Sequence, residues 1–107
     1  MAGAKIVAVF PRPLDGEAFE KSYLEEHIPL ASAKLSGQSK IVLTKTLDTP
    51  QGQAPFHRLA EVHFSSMDAL QACLATPAAQ EVVAHAFTIS TGGPPLLFVA
   101  EEDTIVF

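Results

Sequence analysis

Ile6-Val7-Ala8-Val9-Phe10, closed by Pro11-Arg12-Pro13, is the stretch that decides the fold. Five successive apolar residues, stopped by prolines that cannot donate to a ladder, predict a short strand. The run is apolar at both parities, with Val7 and Val9 on one side and Ile6, Ala8 and Phe10 on the other. Such a strand is expected to be buried on both faces. Leu96 to Ala100, the last regular strand, has the same character.

Reading outward, Asp15 offers a helix cap. Phe19, Tyr23, His27 and Leu30 then fall on one helical row, with Leu24, Ile28, Ala31 and Leu35 on the next. This is an amphipathic helix, ended by Gly37. Pro29 lies inside it. Without an N–H it leaves the carbonyl of Glu25 short of its usual donor, and it biases Ile28 away from helical geometry, so a kink is expected just after His27. Lys40 to Leu47 is rich in β-branched residues and reads as a strand. Asp48 to Pro55 reads as a loop and Phe56 to Phe64 as the third strand. Ser65 to Asp68 has the form of a capping box, with a helix running to about Ala75. Thr76-Pro77 starts another helix, with Thr as cap and Pro in its first turn. Gly92 to Pro95 is a turn, and Glu101 to Phe107 is a polar patch followed by a short apolar tail.

The order β-α-β-β-α-β predicts an α+β, ferredoxin-like split fold: a four-stranded antiparallel sheet with helices on one face. A sheet open to water on its other face should alternate apolar and polar residues, and these outer runs do not. No element remains in the chain to cover that face. Its simplest cover is the same face of a second copy, so a homodimer is expected.

Composition bounds the function. A chain of 107 residues is expected to form one domain, residues 1–107. Its mean hydropathy of +0.23 is high for so short a chain, which again suggests a hidden surface. Seven Lys and Arg are scattered singly in a chain of net charge −5, so nucleic-acid binding is not expected. The lone Cys73 excludes an internal disulfide and reads as a buried spectator. No stretch approaches the roughly 20 apolar residues of a membrane span. The N-terminus lacks the pattern of a signal peptide. A cytoplasmic protein is expected.

The candidate site residues come from two places. Tyr23 and His27 lie four apart, on one helix face beside the expected kink. On the third strand, if Phe56, Ala60, Val62 and Phe64 pack on the helices, then His57, Glu61 and His63 face the open side. Glu61 and His63 are about 6.7 Å apart along the strand, close enough for their side chains to touch. A carboxylate and an imidazole in a partly enclosed pocket suit general acid–base work near neutral pH. His27, Tyr23, Glu61 and His63 are therefore the expected catalytic groups, with His57, Leu59 and Phe10 as ligand contacts. The alternative is structural: Tyr23 and His27 as core, and the strand residues paired across a dimer seam. His63, Glu61 and His27 could also form a facial triad for iron. The spacing does not point to one, and neither a metal nor a cofactor is expected.

Three segments together resemble the EthD family, named for a protein of ethyl tert-butyl ether degradation. They are Tyr23-x-x-x-His27-x-Pro29-Leu30-Ala31, the opening strand ending in Phe10-Pro11, and the Phe56 to Ser66 block followed by an alanine-rich helix. The resemblance covers nearly the whole chain and implies a dimeric α/β barrel, in which two sheets meet around small cavities. It maps the family's histidine onto His27 and its aromatic hydroxyl onto Tyr23. Relatives on that fold act as cofactor-free monooxygenases, dehydratases, decarboxylases, cyclases and lactone isomerases. The resemblance therefore implies either an enzyme acting on a small apolar or aromatic carbonyl compound, or a non-catalytic protein that binds such a compound in a degradation pathway.

Overall fold

The structure, a computed structural model, describes residues 3–107. Its elements run β1 (Gly3–Pro11), α1 (Gly16–Ser22), a π-helical segment (Tyr23–His27), α2 (Ile28–Lys34), β2 (Gln38–Lys45), β3 (Phe56–Phe64), α3 (Met67–Leu74), α4 (Pro77–Ile89) and β4 (Leu96–Glu102). The four strands form one antiparallel sheet in the order β2-β3-β1-β4. This is the expected α+β, ferredoxin-like arrangement, with β3 inserted between β1 and β2.

The helix ends follow local chemistry. Asp15, Ser66 and Thr76 each accept the N–H of the residue three further on, Ala18, Ala69 and Ala79. Each cap satisfies a donor that the first turn cannot. After α2 the chain reverses at Gly37, whose φ of 81° favours glycine. A second glycine is required for a different reason. A Cβ at Gly92 would lie 1.7 Å from the carbonyl oxygen of Arg12, so the turn before β4 can approach the end of β1 only without a side chain.

The expected departure of Ile28 from helical geometry does not occur. Ile28 is fully helical, at φ −66° and ψ −42°, and its N–H bonds to the carbonyl of Tyr23 five residues back. The chain widens by one residue across Tyr23–His27 and continues directly into α2. A wide turn relieves the clash between the proline ring and the preceding carbonyls, which is why helicity survives.

Cross-strand register fixes the faces. Ile6 pairs with Val62 and Val99, and Ala8 with Ala60 and Leu97, all beneath the helices. The core has two parts. One is aliphatic, built from Ala31, Leu35, Val62, Phe64, Leu70 and Val82 among others, and the other is aromatic, around Phe10, Phe19 and Tyr23. The opposite parity of β1 and β3 points away from the helices: Val7 pairs with Glu61 and Phe98, and Val9 with Leu59 and Leu96. Val62 toward the helices and Glu61 and His63 away from them is the register expected from strand periodicity. On that open face Leu96 and Phe98 are 51% and 48% exposed.

Candidate functional site

Between sheet and helices lies a cavity of about 220 Å³, lined by Ile6, Ala8, Ala31, Ile41 and Val82 among others. His27 is the only polar side chain lining it among the described residues. The π-helical segment sets this histidine facing inward, where it is 5% exposed. Its ring meets Phe10 edge-on, with centroids 6.0 Å apart, and lies nearly parallel to Tyr23 at 6.1 Å. Burial, together with a second imidazole beside it, pulls the His27 pKa down to about 4. At neutral pH His27 is therefore uncharged.

The second imidazole is His85 of α4, which reading the sequence did not single out. The two Nδ1 atoms are 2.9 Å apart, and the rings are tilted by only 14° with centroids at 5.1 Å. Centroids that far apart, with nitrogens so close, mean the rings meet nitrogen to nitrogen and not face to face. His85 lines a separate groove of about 320 Å³ between α1 and α4, along with Asp15, Ser22, Glu26, Thr88 and Thr91.

Tyr23 lies beside His27 but is not among the cavity-lining residues. It is fully buried, stacked on Phe19 at 5.3 Å, with the Arg58 guanidinium 5.3 Å from its ring centre. Its hydroxyl has no hydrogen-bond partner among the described residues, and burial pushes its pKa up to about 12. Phe10, expected as a ligand contact, is fully buried in the same aromatic group.

Three expected members lie elsewhere. Glu61, His63 and Leu59 are on the open face, with the sheet between them and His27. Glu61 accepts a hydrogen bond from Lys5, which also donates to Glu102 at 3.2 Å. His63 stands 3.5 Å from Glu102 and 3.9 Å from Glu61. The Lys5 hydrogen bond holds the Glu102 carboxyl below its ordinary range, and that with Glu61 raises the Lys5 ammonium above its own. Glu61, His63 and Glu102 offer donor atoms within 4.8 Å of one another, as a metal site would. Lys5 already supplies the cation there. A facial triad of His63, Glu61 and His27 cannot form across the sheet.

His57 was expected on the open face and is not there. The β1–β3 register slips between Phe10 and Pro11, pairing Phe10 with Arg58 and Pro11 with Phe56, so His57 has no partner on β1. Such a bulge re-aims a side chain. His57 packs edge-on against Phe19 and lies 3.2 Å from the Glu20 carboxylate. Glu20 also accepts two hydrogen bonds from Arg58, at 2.7 and 3.1 Å, and these chiefly hold its carboxyl below the usual range. His57 thus belongs to a clamp between α1 and β3 instead of to a ligand site.

Residues 11–86, most of the chain, match the EthD domain. The chain belongs to the EthD family. It is 26% identical over 102 residues to an uncharacterised 11.0 kDa protein from the thcB–thcC intergenic region of Rhodococcus erythropolis, covering 94% of this chain and 97% of that one. Among solved structures, an EthD family protein from Bacillus halodurans superposes with a TM-score of 0.85 at 25% identity, covering 94% of this EthD chain and 99% of that protein. A dimeric ferredoxin-like protein of unknown function from Jannaschia matches with a TM-score of 0.66 at 17% identity, over 95% and 100% of the two chains. The hydroxynitrile lyase of Passiflora edulis matches with a TM-score of 0.71 at 12% identity, over 98% and 96%. The last two likenesses concern the fold alone.

Proposed function

We propose that this EthD protein takes a small apolar or aromatic carbonyl-type compound into the cavity between sheet and helices, and that His27 carries out cofactor-free acid–base chemistry on it. The observation that carries the reading is an apolar cavity with, among the described residues, a single polar lining side chain, a neutral imidazole. Apolar walls favour an apolar ligand, and the lone imidazole favours one polar group on it, oriented toward the ring. Being uncharged, His27 can accept a proton or exchange hydrogen bonds with a carbonyl or hydroxyl. Tyr23 acts through His27 by packing against its ring.

The same reading places two copies sheet to sheet in a homodimer. The exposed Leu96 and Phe98 beside buried Val7 and Val9 support it, as does the dimeric fold relative. Glu61 and His63 then serve the seam with Lys5 and Glu102. A cytoplasmic location completes this reading, and among the described residues no helix is long and apolar enough to cross a membrane.

A second reading, a non-catalytic binding protein, is favoured by one observation: no strand carboxylate reaches His27. Native mass spectrometry of the purified protein, followed by His27→Ala, separates the two. The enzyme reading expects a carried compound to be turned over by the wild-type protein, and turnover to be lost in the variant with little change in melting temperature. Retention of an unaltered compound by both proteins would overturn the enzyme reading.

A further inference from the structure

We propose that His27 and His85 together form a proton relay joining the buried cavity to the outer groove between α1 and α4. The proposal rests on the reading of His27 as the acid–base group and assigns His85 as its relay partner.

Two Nδ1 atoms at 2.9 Å, in rings that meet edge to edge, share one hydrogen. Two lone pairs so placed would repel, and two N–H groups would clash. The two neutral rings must therefore be opposite tautomers. When His27 carries the shared hydrogen on Nδ1, its Nε2 is a free base, while His85 carries its own hydrogen on Nε2. When His85 holds the shared hydrogen, the assignment reverses at both rings.

That reversal moves a proton. A ligand's acidic hydrogen bonds to Nε2 of His27, the Nδ1 hydrogen of His27 passes to Nδ1 of His85, and the Nε2 hydrogen of His85 leaves into the groove. One N–H bond forms and one breaks at each ring, so both end neutral. The ligand is left with its bonding pair, and the proton goes to water or to a groove carboxylate. Run backward, the same steps deliver a proton to the ligand. Neither ring need hold a net charge at rest, which suits a histidine whose protonated form is so disfavoured by burial.

The inner end lines the 220 Å³ cavity and the outer end lines the 320 Å³ groove. The other titratable groups near the pair are distributed to match. Glu26 of the π-helical segment and Asp15 at the start of α1 line the groove beside His85. Tyr23 lies against His27, with the Arg58 guanidinium 5.3 Å from its ring centre, and the sheet residues lining the cavity are apolar. Among the described residues, the carboxylates near the pair that could accept a departing proton therefore stand at the solvent end.

The test uses the full-length protein labelled with ¹⁵N-histidine. Long-range ¹H–¹⁵N spectra near neutral pH should show opposite tautomers at the two rings. His85→Phe removes the partner of the shared hydrogen, so the ring-nitrogen signals of His27 should move, and His85→Gln serves if the phenylalanine variant does not fold. Like tautomers at the two rings, or His27 signals unmoved by the substitution, would overturn the relay. A second arm follows α-deuteration of 1-indanone in heavy water. His85→Phe should slow it about tenfold or more, within the range of general acid–base effects. Equal rates in wild type and variant would also overturn the relay. No deuteration by the wild type, with opposite tautomers at the two rings, would count against the proposed chemistry of His27 and in favour of the relay.

Discussion

Acid should destabilise this protein through His27 before it reaches the range of ordinary carboxylates. In the unfolded chain His27 titrates near 6.5. In the folded protein burial lowers that value to about 4. Between those values the unfolded state binds a proton that the native state does not, so stability falls as pH falls from about 6.5 to about 4. Above that window both states are neutral at this site, and below it both are charged, so the dependence flattens at each end. The gap corresponds to about 3 kcal/mol at its limit. That is a large share of the roughly 5–15 kcal/mol that holds a domain together. Urea denaturation at fixed protein concentration, repeated through the window, measures the slope. The same series on His27→Gln removes the contribution, and the titrating groups that do not touch His27 are common to both proteins. The difference between the two curves should narrow by about 2–3 kcal/mol from neutral pH to the acid end. Parallel curves would refute the claim that His27 is held neutral by burial.

Four further outcomes are expected. Val7→Asp places an unpaired charge beside Glu61 on the open face, and should dissociate or unfold the proposed dimer at a cost of about 3 kcal/mol or more. Light scattering at micromolar concentration should give about twice the 11.4 kDa chain mass for the wild type and not for the variant. Glu20→Gln should cost about 1.5–3 kcal/mol by weakening the clamp on Arg58. Because the Glu20 carboxyl is held below its ordinary 4.5, its stabilisation is present above that pH and is lost below it, so the variant should lose less in acid denaturation. Tyr23→Phe removes a buried hydroxyl with no protein partner, and its melting temperature should stay within the shift given by about 1 kcal/mol. Gly92→Ala should destabilise by about 1–3 kcal/mol, because its Cβ meets the backbone of Arg12, and an unchanged melting temperature would contradict that close approach.

Much of the fold was legible because strand periodicity and helix caps are local signals. Alternation along Phe56–Phe64 told which way Val62, Glu61 and His63 point, and Asp15 and Thr76 announced the helices they start. What failed depended on partners far along the chain. Nothing in the residues near His57 shows the register slip between Phe10 and Pro11 that turns it toward α1. A proline usually turns the residue before it away from helical geometry, whereas here the tertiary setting keeps Ile28 helical and widens the turn instead. Glu61 was correctly placed on its strand face, but the consequence, separation from His27 by the whole sheet, emerges only once the helices are seated. His85 escaped notice because it flanks the apolar stripe of Val82, Ala86 and Ile89 without interrupting it. Its partner lies 58 residues away, on another helix.

The wide turn at Tyr23–His27 has a geometric use beyond tolerating a proline. Phe19, Tyr23, His27, Ala31 and Leu35 recur at every fourth position, and all five are buried. An α-helix rotates about 100° per residue, so a row of fours drifts about 40° at each step and about 160° over the run. At uniform α pitch, Leu35 would point nearly opposite to Phe19, and the two could not both face the sheet. Adding one residue to a single turn takes up part of that drift. The helix can then begin in the aromatic half of the core and finish in the aliphatic half, with His27 at the changeover. The turn works as a vernier that sets the angle of one imidazole against another. Deleting Glu25 alone should return the helix to uniform pitch and rotate His27 out of line with His85.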